Sequence, residues 1–291
     1  MGCPKQNVLA RALCGVAIPP LQAVSPRRPL RRQPLVLCSL LWLIAAVLGA
    51  MLAPYLTPVD PLTTDPSRAL LPPGSGGLLG TDFLGRDVLA RLLWGGRWTL
   101  GMGVGALTLA VVIGLPLGLA AGSAGGWLDG FLMRLVDAWL AFPGLLLAMA
   151  GVAVLGPGLS SVTVAVGLAA AAPYARVVRA AARAIRAQPY IEAARAIGAS
   201  PWRIALRHIL PNTAPALLAF AATQLGWVLL NGAALHFLGL GVPPGVPEWG
   251  AMLAEGRAYL RDAPWAAVFP GAALTLTILA ANLLGDRLGQ H

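Results

Sequence analysis

The sequence predicts an all-α polytopic membrane protein with six transmembrane helices. Of its 291 residues, 57% are hydrophobic and only 11% charged, with a mean hydropathy of +0.74. That is too apolar for a soluble globular chain, so much of the apolar surface has to face lipid. Uncharged runs of 21 residues or more recur along the chain, against the roughly 20 residues needed to cross about 30 Å of hydrocarbon. Finally, the basic residues lie in two clusters separated by four predicted spans, an even number, so both clusters can face the cytoplasm as the positive-inside rule requires.

Residues 1–34 hold Lys5, Arg11, Arg27, Arg28, Arg31 and Arg32, several prolines and no acid, which predicts a flexible basic cytoplasmic tail. Gln6 stands where a myristoylation signal needs Ser or Thr, so no lipid anchor is expected. Leu35 to Tyr55 is 21 uncharged residues, longer than the apolar core of a signal peptide, and residues 35–56 are taken as the first transmembrane helix. Residues 57–97 carry four acids (Asp60, Asp65, Asp82, Asp87) and four arginines (Arg68, Arg86, Arg91, Arg97). This balanced charge belongs outside the membrane.

Residues 98–286 follow as a core of five helices. Trp98 to Leu128 is uncharged and gives a second span ending near Gly122. The 38 uncharged residues between Asp137 and Arg176 are too many for one helix, and Gly156-Pro157-Gly158 divides them into spans Phe131–Leu155 and Leu159–Ala180. Pro143 is expected to bend the first of these. Arg134 and Asp137, three apart, are expected to share a helical face as a charge pair. Arg176, Arg179, Arg183 and Arg186 line one side of a helix leaving the membrane. A fifth span runs from about Thr213 to His236 and a sixth from Ala263 to Gly285, leaving residues 287–291 as a short cytoplasmic tail. Thr223, Gln224 and Asn231 must be satisfied inside the bundle or face a water-filled path, and Gln224 and Asn231 are candidate pathway-lining residues.

Between the fourth and fifth spans, Pro189 to Asn212 reads as two short helices joined at Gly198. Glu192 places a carboxylate in a first turn, and Ala193, Ala194 and Ala196 are strong helix formers. Gly198 suits the left-handed position after a helix C-terminus. Ser200 is an N-cap and Pro201 fits the first helical position, while Pro211 is expected to stop the second helix. With Ile204 and Leu210-Pro211 at matching spacing, this stretch, residues 189–212, resembles the EAA coupling loop of the permease subunits of bacterial ABC importers.

Two further stretches are similar to the dipeptide, oligopeptide and nickel branch of that family. Gly80-Thr81-Asp82-Phe83-Leu84-Gly85-Arg86-Asp87 resembles its GTD-x-x-GRD signature, with Ala90 and Thr99 where serine is commoner. Phe237-Leu238-Gly239-Leu240-Gly241-Val242-Pro243-Pro244, continuing through Glu248-Trp249-Gly250, resembles its FLGLG-x-x-P-P segment. The resemblance covers roughly Gly80 to Asp286 and implies a type I importer permease core. It also implies a homologous second permease, two ATPase subunits or domains that bind ATP and Mg beneath, and an extracytoplasmic substrate-binding protein. In the family the EAA loop docks on the ATPase and carries its motion into the membrane. The corresponding residues here are Glu192, Ala193, Ala194, Gly198, Ser200, Pro201, Ile204, Leu210 and Pro211.

The residues themselves offer no chemistry of catalysis. A P-loop needs a lysine after its glycines, and Lys5 is the only lysine. The GVGAL and GLPLG runs of the second span are small-residue stripes that let helices approach closely. His208, His236 and His291 stand apart from one another with no companion ligands, and Cys3, Cys14 and Cys38 crowd the N-terminal region without a metal-ligand spacing. A net charge of +10 could suggest nucleic acid, but the basic residues flank apolar spans instead of sharing a surface with aromatics. No cofactor is expected in this chain. A permease for dipeptides or oligopeptides in the bacterial inner membrane is the preferred reading. A nickel or metal-chelate importer is the alternative within the family. A secondary transporter or channel is the alternative outside it, with no acid well inside any span to relay protons.

Overall fold

The computed structural model describes residues 33–289, all turns and helices apart from one isolated bridge between Thr81 and Asp87. The expected basic tail and the MGCPKQ stretch lie outside the described residues. Helix α1 spans Gln33–Met51, with a single further turn at Ala53–Leu56. After an irregular stretch, α2 runs Val88–Ala124, followed by α3 (Gly126–Leu140), α4 (Gly144–Leu155) and α5 (Leu159–Arg186). Then come α6 (Pro189–Ala196), α7 (Pro201–Phe237), α8 (Trp249–Gly256) and α9 (Trp265–Leu288). Among the described residues, α1, α2, α5, α7 and α9 are long and apolar enough to cross a membrane, and α3 with α4 forms a sixth, bent candidate.

Four expectations are corrected. The second span starts at Val88, ten residues before Trp98, because the Asp87 carboxylate accepts from Ala90 N at 2.8 Å and caps the helix there. The third span is a break of 84° between α3 and α4, sharper than a bend, and Pro143 lies at that break as the N-cap of α4. Asp137 pairs with Arg176 on α5 at 2.5 Å, in place of the expected Arg134.

The fourth correction concerns Pro211, which does not end its helix. Ala205–Ile209 forms one widened π turn, in which Leu210 N reaches back to Ala205 O, and the helix continues to Phe237. The wider turn moves the carbonyl that a proline ring at this position would otherwise strike. Nearby, Asn212 Nδ2 donates to His208 O at 2.6 Å.

Glycines set the closest helix pair. A Cβ on Gly114 would lie 2.7 Å from Ala171 O, and one on Gly122 would lie 2.6 Å from Ala182 Cβ, so α2 and α5 touch backbone to backbone. Gly118 makes the same approach to Ala175 and Val178 between them. Helices α7 and α9 meet similarly, with Gly226 against Asn282 and Gly285 against Ala219 and Thr223. The core between α2, α4, α5 and α7 is small and branched: Ala106, Ala110, Ala148, Val152, Val162, Ala165 and Val166. Helix α1 lies outside this body. Its Trp42 Nε1 donates to Thr277 Oγ1 at 3.1 Å, and Leu37, Leu41, Ile44 and Leu48 remain exposed, as lipid-facing residues should.

The long helices give the body two ends. At one end α2 and α9 begin and α7 finishes, near Thr81, His236 and Trp265. At the other end α2 and α5 finish and α7 begins, around Leu119, Val178, Ala182 and Ile204.

Candidate functional site

The predicted coupling residues sit together at the second end. Helix α6 terminates in a Schellman arrangement: Ala199 N donates to Ala194 O at 3.0 Å and Gly198 N to Arg195 O at 2.9 Å. Gly198 has φ +86° with no atom within 4 Å of where a Cβ would stand, so backbone conformation and not crowding demands glycine. Ser200 then caps α7, its hydroxyl accepting from Arg203 N at 3.3 Å, and Pro201 occupies the first helical position.

The resulting knuckle has two faces. Ile191, Ile204 and Ile209 are buried among Leu119, Tyr174, Val178, Ala182 and Leu217, with half-buried Leu210 packed against them. Each such side chain contributes roughly 1.5–3 kcal/mol, which pins the knuckle to the ends of α2 and α5. On the other face Ile197 is 86% exposed and Trp202 69% exposed, beside exposed Tyr190 and Leu206. Glu192, Ala193, Arg195, Arg203 and Arg207 are exposed too, and Ala194 is half-buried. An apolar patch this prominent, ringed by charge, has the character of an interaction surface.

Of the two candidate pathway residues, Gln224 is buried while Asn231 is half-buried and donates to Trp227 O of its own helix at 2.8 Å. Seven residues apart on one helix, they lie on nearly the same side and differ in how deeply each is buried.

The opposite end holds what the sequence reading left apart. Asp82 accepts from Leu84 N and Arg86 N, from Arg86 Nε at 2.7 Å and from Arg91 Nη1 at 2.5 Å. Glu255, on α8, receives Arg86 Nη2 and Arg91 Nη1, both at 2.8 Å, and Gly245 N at 3.2 Å. Two guanidiniums therefore neutralise two carboxylates, and their bonds to Glu255 span more than 150 residues of chain. Arg86 and Arg91 are almost fully buried, which is tolerable only because both are paired.

Beside this cluster the fully buried Glu248 caps α8, accepting from Ala251 N at 2.9 Å and Thr99 Oγ1 at 2.8 Å. His236 Nδ1 lies 3.4 Å from the same carboxylate. Trp249 Nε1 donates to Leu92 O at 2.9 Å and Trp265 Nε1 to Thr81 O at 3.0 Å. The GTD-x-x-GRD and FLGLG stretches of the sequence are thus one packed unit, joined through Thr99 and through Glu255, a member that motif matching did not assign. The usable signal was charge economy: Glu248 and Glu255 follow a 40-residue stretch without charge, while Arg86 and Arg91 stand beside another.

Among the described residues, no group of three or more His, Cys, Asp or Glu side chains could hold a metal ion. Residues 114–291 match the family of binding-protein-dependent transport system inner membrane components, and residues 25–73 match the N-terminal transmembrane domain of oligopeptide transport permease C. The chain is 40% identical to the glutathione transport system permease protein of Pectobacterium atrosepticum over 93% of each chain. It is 39% identical to the dipeptide transport system permease protein of Alkalihalophilus pseudofirmus over 91% of this chain and 89% of that one. Its fold is similar to that of a methionine ABC transporter in inward-facing conformations, with a TM-score of 0.55 at 21% identity, over 69% of this chain and 95% of that one. These likenesses, with the bundle and its motifs, place the chain in the binding-protein-dependent transport system inner membrane component family, as a multi-pass permease subunit of an ABC importer that performs no ATP hydrolysis itself.

Proposed function

We propose that this permease moves dipeptides, oligopeptides or similarly small peptides such as glutathione, and that its Tyr190–Arg207 knuckle receives the push of a partner ATPase. The cargo reading rests on relatives named for peptide, dipeptide and glutathione transport. The coupling reading rests on one observation: Ile191, Ile204 and Ile209 fix the knuckle to the bundle while Ile197 and Trp202 stay uncovered. A surface that must transmit displacement needs this combination of rigid anchorage and free apolar contact.

The knuckle faces the cytoplasm. Seven arginines against the single acid Glu192 lie between Arg176 and Arg207, which supports that orientation. Helix α1 reaches the opposite end at Ala50, beside Gly96, and α9 returns at Gly285 beside Ala219. Both termini are accordingly cytoplasmic. The ion-paired end faces outward, toward a substrate-binding protein, and ATP with Mg is held by the ATPases. The second permease and the cargo path lie along the open face of α7, which bears Thr223, Leu230 and Asn231. Buried Gln224 serves packing instead.

A single cysteine at Trp202 or Ile197, in a background with the three native cysteines replaced by serine, tests this reading. A membrane-impermeant maleimide should label it only in inside-out vesicles, and assembly with the ATPase should block the reaction. Labelling from outside intact cells, or labelling unchanged by the ATPase, would overturn the assignment.

A further inference from the structure

Beside the knuckle, between the end of α2 and the last turns of α5, lies a cavity of about 370 Å³ lined by Gly125, Gly126, Asp129, Arg183, Arg186 and Ala187. Its charge does not balance. Asp129 is taken by Arg179 through two bonds of 2.5 and 2.7 Å, and Arg183 reaches the same carboxylate only at 3.5 Å. Arg186 has no carboxylate partner among the described residues, and its guanidinium packs on Gly125, where any side chain would displace it. Three guanidiniums thus share one carboxylate, two of them at a cavity open to solvent.

The surroundings fix the depth of this cavity. On the face of α3 turned about 200° away from Asp129, Trp127 is 80% exposed and stacks on exposed Phe131, with ring centroids 5.7 Å apart. Leu128 and Leu135 extend that exposed apolar face. An uncovered stacked Trp and Phe at the end of a transmembrane bundle mark the membrane–water interface, where aromatic rings collect. The excess positive charge therefore sits at headgroup level, between helices, which is the setting in which basic pockets hold lipid phosphates.

We infer that Arg183 and Arg186 bind the phosphate of an anionic phospholipid in this cavity. Arg186 is followed within three residues by Pro189, the first residue of α6, so the bound lipid braces the root of the coupling knuckle. The phosphate offsets the charge that Arg183 and Arg186 carry beyond what Asp129 neutralises, without any further protein carboxylate. The site stands whichever leaflet faces it.

The test uses the full-length chain reconstituted in vesicles of phosphatidylcholine alone, or of phosphatidylcholine with phosphatidylglycerol. Arginine modification by phenylglyoxal is mapped by mass spectrometry. Arg183 and Arg186 should be protected by phosphatidylglycerol roughly 30-fold, about fivefold per arginine, whereas exposed Arg134 and Arg207 change far less. Inorganic phosphate added to phosphatidylcholine vesicles should not reproduce the protection. The R183Q/R186Q double variant should lose the phosphatidylglycerol adduct that native mass spectrometry detects on the wild type, and R134Q should keep it. Equal protection of all four arginines, full protection by inorganic phosphate, or an adduct retained by the double variant would each overturn the site. If the double variant does not accumulate in membranes, the wild-type protection pattern decides alone.

Discussion

The two ends of this bundle solve opposite problems with similar residues. At the ion-paired end, three buried charged side chains and the half-buried Glu255 all find partners inside the chain, so Asp82, Arg86, Arg91 and Glu255 close on themselves. At the knuckle end, large apolar groups stand uncovered and arginines outnumber acids. The ion-paired end neutralises its charges within the chain, whereas the knuckle end leaves apolar and basic groups that a partner covers on the proposed reading. Substitutions at the first should therefore cost stability, and those at the second should cost partnership.

Arg91→Ala breaks this contrast most severely. It leaves Asp82 and Glu255 to share the single guanidinium of Arg86 and should cost about 3–5 kcal/mol, seen as a lower thermal midpoint of the purified protein and faster proteolysis of residues 57–87. Trp202→Ala should instead leave that midpoint unchanged, because the ring is mostly exposed, while weakening ATPase association by about 2 kcal/mol, measurable as binding affinity. Gly198→Val forces a β-branched residue to φ +86° at about 1–2 kcal/mol. Membrane insertion should survive, with substrate uptake falling relative to ATP hydrolysis in reconstituted vesicles. Ser200→Ala removes the cap on Arg203 N and should cost about 1 kcal/mol locally, visible as faster amide exchange across the first turn of α7. A large loss of global stability from Trp202→Ala, or none from Arg91→Ala, would erase the distinction between the ends.

Much of this was legible in the residues because it depends on local chemistry. The spans follow from uncharged length, and the caps at Gly198, Ser200 and Pro201 follow from backbone preferences that hold wherever the chain goes. Long-range pairing was not legible. Arg134 lies three residues from Asp137, yet Arg176, 39 residues away, takes that carboxylate because α3 lies along α5. Proline rules likewise misled at Pro211, since a widened turn is a tertiary accommodation that the rule for an isolated helix does not contain. The outer motifs were recognisable one at a time, but their meeting through Glu255, Glu248 and Thr99 depends on where α8 packs, which no spacing encodes.

The unbroken run from Pro201 to Phe237 has one more implication. At 1.5 Å per residue, 37 residues make a rod of about 55 Å, carrying Trp202 at its foot and ending one residue beyond His236, which touches the buried Glu248. A torque received at the foot has no loop in which to dissipate. Only the π turn and Pro215 offer give, and both lie in the lower half. On the proposed coupling, opening at the ion-paired end is then geared directly to events at the knuckle, with almost no backlash.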